Sequence, residues 1–289
     1  MLLVVRKVRL LIGQCPPWLI IFTGIWAFSC MALALYGMTS MVVLAGFAYF
    51  AILAIVCYGL CRTIYRHVTW KDAERSTLLV KAVAANIQSL LQLQKRFPDL
   101  QFSTSMGAME PANLTFLLSI LDALKPKKIV ELGCGVSTLI VAAWKRAERM
   151  EGTFISIEES ASWADVCQKA LCENDLMGSV SIEVRPLRDT ESLGSKVPWY
   201  ALSGPELGSE EIDLLIVDAP AALENPLARL PAMPRLLAKL SRQAVILLDD
   251  GNREGEREIA KKWLDAFPHL HGEHFPSQSG MWMFRSRAE

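Results

Sequence analysis

The chain has 289 residues, room for one sizeable domain and an appendage, and its 30 Lys+Arg balance 30 Asp+Glu. That balance, with no basic stripe, excludes a nucleic-acid surface of the usual kind. The charge is nonetheless unevenly placed: up to Lys71 the chain carries Arg6, Lys7, Arg9, Arg62, Arg66 and Lys71 and no acidic residue.

From Leu10 to Cys61 there is no Asp, Glu, Lys, Arg or His. A helix needs about 20 apolar residues to cross lipid, so this stretch predicts two spans, about 18–36 and 41–61. "GMTS" at 37–40 is the polar break between them, and Pro16 and Pro17 suit the start of the first. A cleaved signal peptide fits poorly, because the apolar run continues far past any cleavage site. Both flanks of the hairpin are basic, which places both chain ends and the rest of the chain on the cytosolic side of a membrane. Its first partner is thus the lipid bilayer.

The seven cysteines form neither a disulfide framework nor a zinc pattern. Cys134 lies inside a glycine turn, where a small residue simply fits.

After the hairpin, apolar residues recur at helical spacing from Ser76 to about Arg96, and Pro98 ends the run. This helix reads as a connector. The expected divisions are an anchor over 1–67, the connector over 68–100 and a globular domain over 101–289. A second helix is expected over about 111–124.

Strands and helices then alternate. "KIVEL" (128–132) is strand one, followed by a glycine turn and a helix to about Arg149. "GTFISIEES" (152–160) is strand two, with a helix through Leu176, and "SVSIEVRP" (179–186) is strand three. Residues 188–211 read as a long irregular loop holding Trp199 and Tyr200, which could line an acceptor pocket or simply anchor the loop. "IDLLIVDAP" (212–220) and "AVILLDD" (244–250) are strands four and five, with a helix at 255–267. Two last strands, near 269–275 and 281–285, flank the turn "PSQSG". Apolar strands alternating with helices predict an α/β fold, a doubly wound parallel sheet with an antiparallel edge hairpin.

Ligands in such sheets bind at the carboxyl ends of the strands. "VELGCGVST" (130–138), with its turn at 133–135, provides that place. Gly133 and Gly135 let a ligand approach the backbone, and the helix beginning near Ser137 aims its dipole at it. Glu158, at the end of strand two, can accept both hydroxyls of a ribose. The dinucleotide fingerprint requires a third glycine at position 138, which is Thr138. Glu131 would repel a pyrophosphate and suits a cationic ligand such as S-adenosylmethionine, which has no phosphate.

The ordered set "IVELGCGVSTL", "ISIEES", "IDLLIVDAP" and "VILLDDGNREGE" resembles the class I S-adenosylmethionine-dependent methyltransferases, in the branch with ELGxGxST and a later LDDxxRxxE. The resemblance covers about residues 100–289. It implies a Rossmann-like seven-stranded sheet whose edge is the antiparallel hairpin. It implies Glu131, Gly133 and Gly135 near the methionine part of the cofactor, Glu158 on its ribose, and Ser137 and Thr138 at the same helix N-terminus. The membrane hairpin is not part of the family's usual pattern.

Methyl transfer needs alignment and, for a hydroxyl acceptor, removal of a proton. Asp218 ends strand four, and Asp249 and Asp250 end strand five. Asp218 and Asp250 are the expected catalytic carboxylates, and all three aspartates together could hold Mg²⁺. The alternative is that Asp249 or Asp250 caps the next turn or pairs with Arg253. Catechol-type relatives carry a lysine where position 221 is alanine, and an Asp-Asn pair where this chain has Asp250-Gly251. The cluster "HLHGEH" reads as exposed edge-strand polarity rather than a metal site. The expected activity is O-methylation of a sugar, glycan or small-molecule hydroxyl, with a lipid-linked acceptor suggested by the anchor. Two other readings stay open: a scaffolding subunit of a membrane complex, and a tethered NAD-linked oxidoreductase disfavoured by Thr138. A homo-oligomer is neither required nor excluded.

Overall fold

A computed structural model describes residues 24, 27, 29, 31, 56, 58–60, 62–63, 76–103, 108–202, 207–222 and 225–286. Contacts group the chain into two units, Met1–Thr77 and Leu78–Glu289. In the first, every described residue up to 63 is helical. The expected spans, 18–36 and 41–61, otherwise lie outside the described residues, and among the described ones no helix is long and apolar enough to cross a membrane.

The second unit begins on helix α1 (76–96). Then come α2 (Pro111–Leu124), β1 (Lys128–Leu132), α3 (Val136–Glu148), β2 (Thr153–Glu158), α4 (Ala161–Glu173) and β3 (Ser181–Val184). The hairpin β4 (Leu187–Ser192) and β5 (Ser195–Tyr200) follows. The chain continues through β6 (Ile212–Val217), α5 (Ala232–Leu236), β7 (Leu240–Asp249), α6 (Glu254–Ala266), β8 (Leu270–Phe275) and β9 (Met281–Ser286).

Seven strands form one sheet in the order β3-β2-β1-β6-β7-β9-β8. The first five are parallel, and β9 pairs antiparallel with β7 and β8. This is the expected seven-stranded sheet with its edge hairpin. Strand alternation feeds two cores. Ile129, Leu214, Ile216 and Leu247 face one layer, with Leu114, Leu117 and Leu121 of α2 and most of α3. Val130, Leu132, Leu215, Val217, Ile246 and Leu248 face the other, with Met233, Ile259 and Trp263. Both faces are covered, which is why these strands read as near-continuous apolar runs. α2 starts at a proline in its first turn and ends at Lys125, whose φ of 45° is left-handed.

The segment read as an irregular loop is corrected: residues 187–200 form the β4–β5 hairpin, a separate two-stranded sheet. Its turn is Leu193-Gly194, with φ of 45° and 75°, between the paired Ser192 and Ser195. Two left-handed residues are what a tight hairpin turn requires. The first of them is a leucine, so the usual Asn-Gly or Asp-Gly signal is missing.

Candidate active site

β1 is where the chain order reverses, with β2 on one side and β6 on the other. The crevice beyond its carboxyl end is therefore the ligand position of an open α/β sheet. The glycine turn lies there. Gly133 has φ of 93°, and a Cβ on it would sit 2.6 Å from the Cβ of Ala219. Only glycine fits this position. Gly135 is different: its backbone is extended, and a Cβ there would meet nothing within 4 Å. The space beside Gly135 is open to a ligand.

Glu131 is fully buried and its oxygens accept three hydroxyls, from Ser137 (2.6 Å), Thr138 (2.6 Å) and Ser156 (2.8 Å). Thr138 Oγ1 in turn accepts from the Gly135 amide at 2.8 Å. The sequence singled out Glu131, Ser137 and Thr138 separately, and the structure joins them into one network that fixes the turn. Burial pushes the Glu131 carboxyl up to about 7, against the pull of the three hydroxyls. Its carboxylate thus shapes the turn from beneath.

Glu158 ends β2 and lies against the same turn. Its Oε2 accepts from the Cys134 amide (3.0 Å) and its Oε1 from the Ser160 amide (2.9 Å). Burial raises it, and the two amides oppose that rise. Each carboxylate oxygen keeps a second acceptor site, which is what a ribose diol needs. The Cys134 thiol is raised by its contact with Cys167 and by burial, which disfavours its thiolate.

The three aspartates do converge. One oxygen from each of Asp218, Asp249 and Asp250 lies within 4.8 Å of the others. Asp218 follows β6, where both its amide and that of Ala219 bond to Leu132 O. Asp249 ends β7, and Asp250 follows with φ of 60°. Burial raises Asp218 and raises Asp249 well above the usual carboxylate range, and the neighbouring carboxylates add to both effects.

Two residues of this cluster were missed from the sequence. Arg229, nearly fully buried, donates to Asp218 (3.3 Å), Asp250 (3.1 Å) and the Asp249 carbonyl (3.1 Å), and lies 3.5 Å from Glu256. Asn113, on the first turn of α2, donates to Asp249 at 2.5 Å and accepts from Ser277. It ties α2 to the β8–β9 turn and to the end of β7. Neither residue has a local motif, since each acts through partners distant in sequence. Arg253 pairs with Asp250 at 2.7 Å, as the alternative reading had it.

Four carboxylates, Asp218, Asp249, Asp250 and Glu256, face two guanidinium groups. The excess is negative, desolvated and all-oxygen, a donor set that fits Mg²⁺. Among the described histidines, His271 lies 3.1 Å from Glu273 on β8, the sheet edge, and His274 packs edge-on against Trp282. Trp199 and Tyr200 are buried, and the Tyr200 hydroxyl donates to Glu159 at 3.1 Å.

No protein-family model and no curated protein matches the chain. Among solved structures it is similar to the S-adenosylhomocysteine-bound methyltransferase PaMTH1 of Podospora anserina, with 16% identity, a TM-score of 0.48, and coverage of 71% of this chain and 88% of that one. It is also similar to an O-methyltransferase from Bacillus cereus in complex with S-adenosylhomocysteine, with 17% identity, a TM-score of 0.46, and coverage of 71% and 91%. A third is the O-methyltransferase TomG of Streptomyces achromogenes, involved in tomaymycin synthesis and bound to S-adenosylmethionine, with 17% identity, a TM-score of 0.44, and coverage of 71% and 90%.

Proposed function

We propose that the chain is an S-adenosylmethionine-dependent O-methyltransferase. The observation that carries this reading is the meeting of the Asp218–Asp249–Asp250 cluster with the open glycine turn at the carboxyl ends of the neighbouring strands β1, β6 and β7. Glu158 holds the ribose, and the backbone at Gly133–Gly135 holds the amino-acid end of the cofactor. Glu131, Ser137 and Thr138 keep that backbone in place. Asp218 accepts the proton of the acceptor hydroxyl; burial raises the affinity of its carboxylate for a proton, which favours that transfer. Arg229 holds Asp218 and Asp250 in register. Asp218, Asp249 and Asp250 would hold Mg²⁺, which when bound makes an acceptor hydroxyl more acidic.

The reading extends to the whole chain. The charge-free residues 10–61 anchor the enzyme through two spans, with both termini and the catalytic domain cytosolic. The acceptor is then a sugar, glycan or lipid-linked hydroxyl at the membrane face. The Arg229 ion pairs favour one second reading, a cofactor-binding scaffold in a membrane complex, because they partly neutralise the acid cluster from within the fold. Release of S-adenosylhomocysteine separates the two. The full chain in detergent, given S-adenosylmethionine, Mg²⁺ and lipid-linked or soluble glycans, releases it steadily on the first reading. Cofactor binding without release on any hydroxyl acceptor would leave the scaffold.

A further inference from the structure

A cleft lined by none of the aspartate cluster's residues lies between the β4–β5 hairpin and the segment around α5. It encloses about 720 Å³, within the roughly 300–1,000 Å³ of small-molecule sites. Its floor is apolar: Trp199, Leu207 and Leu236 are all buried. Its rim is basic, with Arg188 on β4, Arg235 on α5 and Lys239 just beyond α5. Arg188 comes from the hairpin, and Arg235 and Lys239 from adjoining helical segments; among the described residues no carboxylate pairs with any of them. Arg235 donates to the Thr190 hydroxyl, and Lys239 donates to the Gly208 carbonyl at 3.2 Å. Both partners are neutral, so among the described residues no carboxylate compensates the charge. The one acidic lining residue, Asp189, is already bound to Lys196 at 2.9 Å.

We propose that this cleft binds a phosphate-bearing anion. Three cations with no described carboxylate partner, above one apolar floor, concentrate positive potential where solvent is partly excluded. Two of them are guanidinium groups, whose planar donors match phosphate oxygens two at a time. The floor leaves room for an apolar or ring-bearing group attached to the phosphate. The cleft shares no lining residue with the aspartate cluster or the glycine turn. Its phosphate comes either from a soluble ester or from a lipid headgroup.

The test is calorimetry on the full chain in neutral detergent and metal-free buffer, which keeps the aspartate cluster out of the reading. Inorganic pyrophosphate and a short-chain phosphatidic acid are titrated separately. Saturable binding of pyrophosphate is expected, weakened about tenfold by Arg188→Ala and again by Arg235→Ala. Lys169→Ala, which removes an exposed cation elsewhere, leaves it unchanged. Binding of phosphatidic acid alone, with the same dependence on both arginines, supports the site and assigns the phosphate to a lipid. Binding of neither probe, or binding that survives in the Arg188→Ala/Arg235→Ala double variant, overturns the proposal.

Discussion

Glu131→Gln removes the titratable proton under the glycine turn while keeping the side chain's size. Glu131 is fully buried and its carboxyl is pushed up to about 7 from 4.5, burial being the largest cause. The folded protein therefore holds this proton more tightly than the unfolded chain does. Stability from this group is fully present below the unfolded value and is lost as pH rises to the folded one. A shift of about 2.5 units corresponds to roughly 3 kcal/mol at about 1.4 kcal/mol per unit. Glu158, Asp218, Asp249 and Glu256 are also raised, so the wild-type slope has the same sign from several groups. The informative quantity is the difference between wild type and variant. Chemical unfolding of the full chain, followed by near-UV circular dichroism between about pH 5 and about pH 8, measures it. The variant should gain on wild type by roughly 3 kcal/mol across that window. A difference independent of pH would refute the assignment of a buried, proton-holding Glu131.

The two glycines of the turn should separate stability from binding. Gly133→Ala should cost about 3 kcal/mol, from the left-handed backbone and the clash with Ala219, seen as a lowered unfolding midpoint. Gly135→Ala should leave that midpoint unchanged and weaken S-adenosylmethionine, because its Cβ enters only the open space; unchanged affinity would remove the ligand from that spot. Glu158→Ala should weaken S-adenosylmethionine about tenfold or more in equilibrium dialysis, and full affinity would remove the ribose assignment. Asp218→Asn should lower turnover at least about a hundredfold while sparing cofactor affinity; retained turnover would end its role as the base. Asp249→Asn and Asp250→Asn should each weaken Mn²⁺, read by water-proton relaxation, and equal binding by all three proteins would mean that the cluster holds no metal.

Much of the fold was legible because periodicity and burial agree. "KIVEL" became β1 with both boundaries as read, since all five residues are buried. Pro111 and the Leu114, Leu117, Leu121 spacing gave α2. The β4–β5 hairpin escaped because charged residues occupy both of its faces and Leu193 stands where asparagine is usual. The site was legible to the extent that it follows strand ends. Glu158 and Asp249 end strands, Asp218 and Asp250 follow strands directly, and Gly133 is required by its φ. Arg229 escaped because nothing in the sequence around it repeats, although its guanidinium organises the acid cluster. Asn113 escaped for a similar reason: its partners lie on β7 and in the β8–β9 turn, over a hundred positions away. The sequence also gave Glu131 an electrostatic role toward a cationic ligand, whereas its oxygens are occupied by Ser137, Thr138 and Ser156.

The central claim is that the turn at Gly133–Gly135 holds S-adenosylmethionine. Isothermal calorimetry of the full chain in detergent, with S-adenosylmethionine and NAD titrated in parallel, tests it most directly. The account predicts saturable binding of S-adenosylmethionine at one site per chain, weakened by Glu158→Ala, and no heat from NAD. A folded chain that binds NAD, or neither ligand, would contradict it.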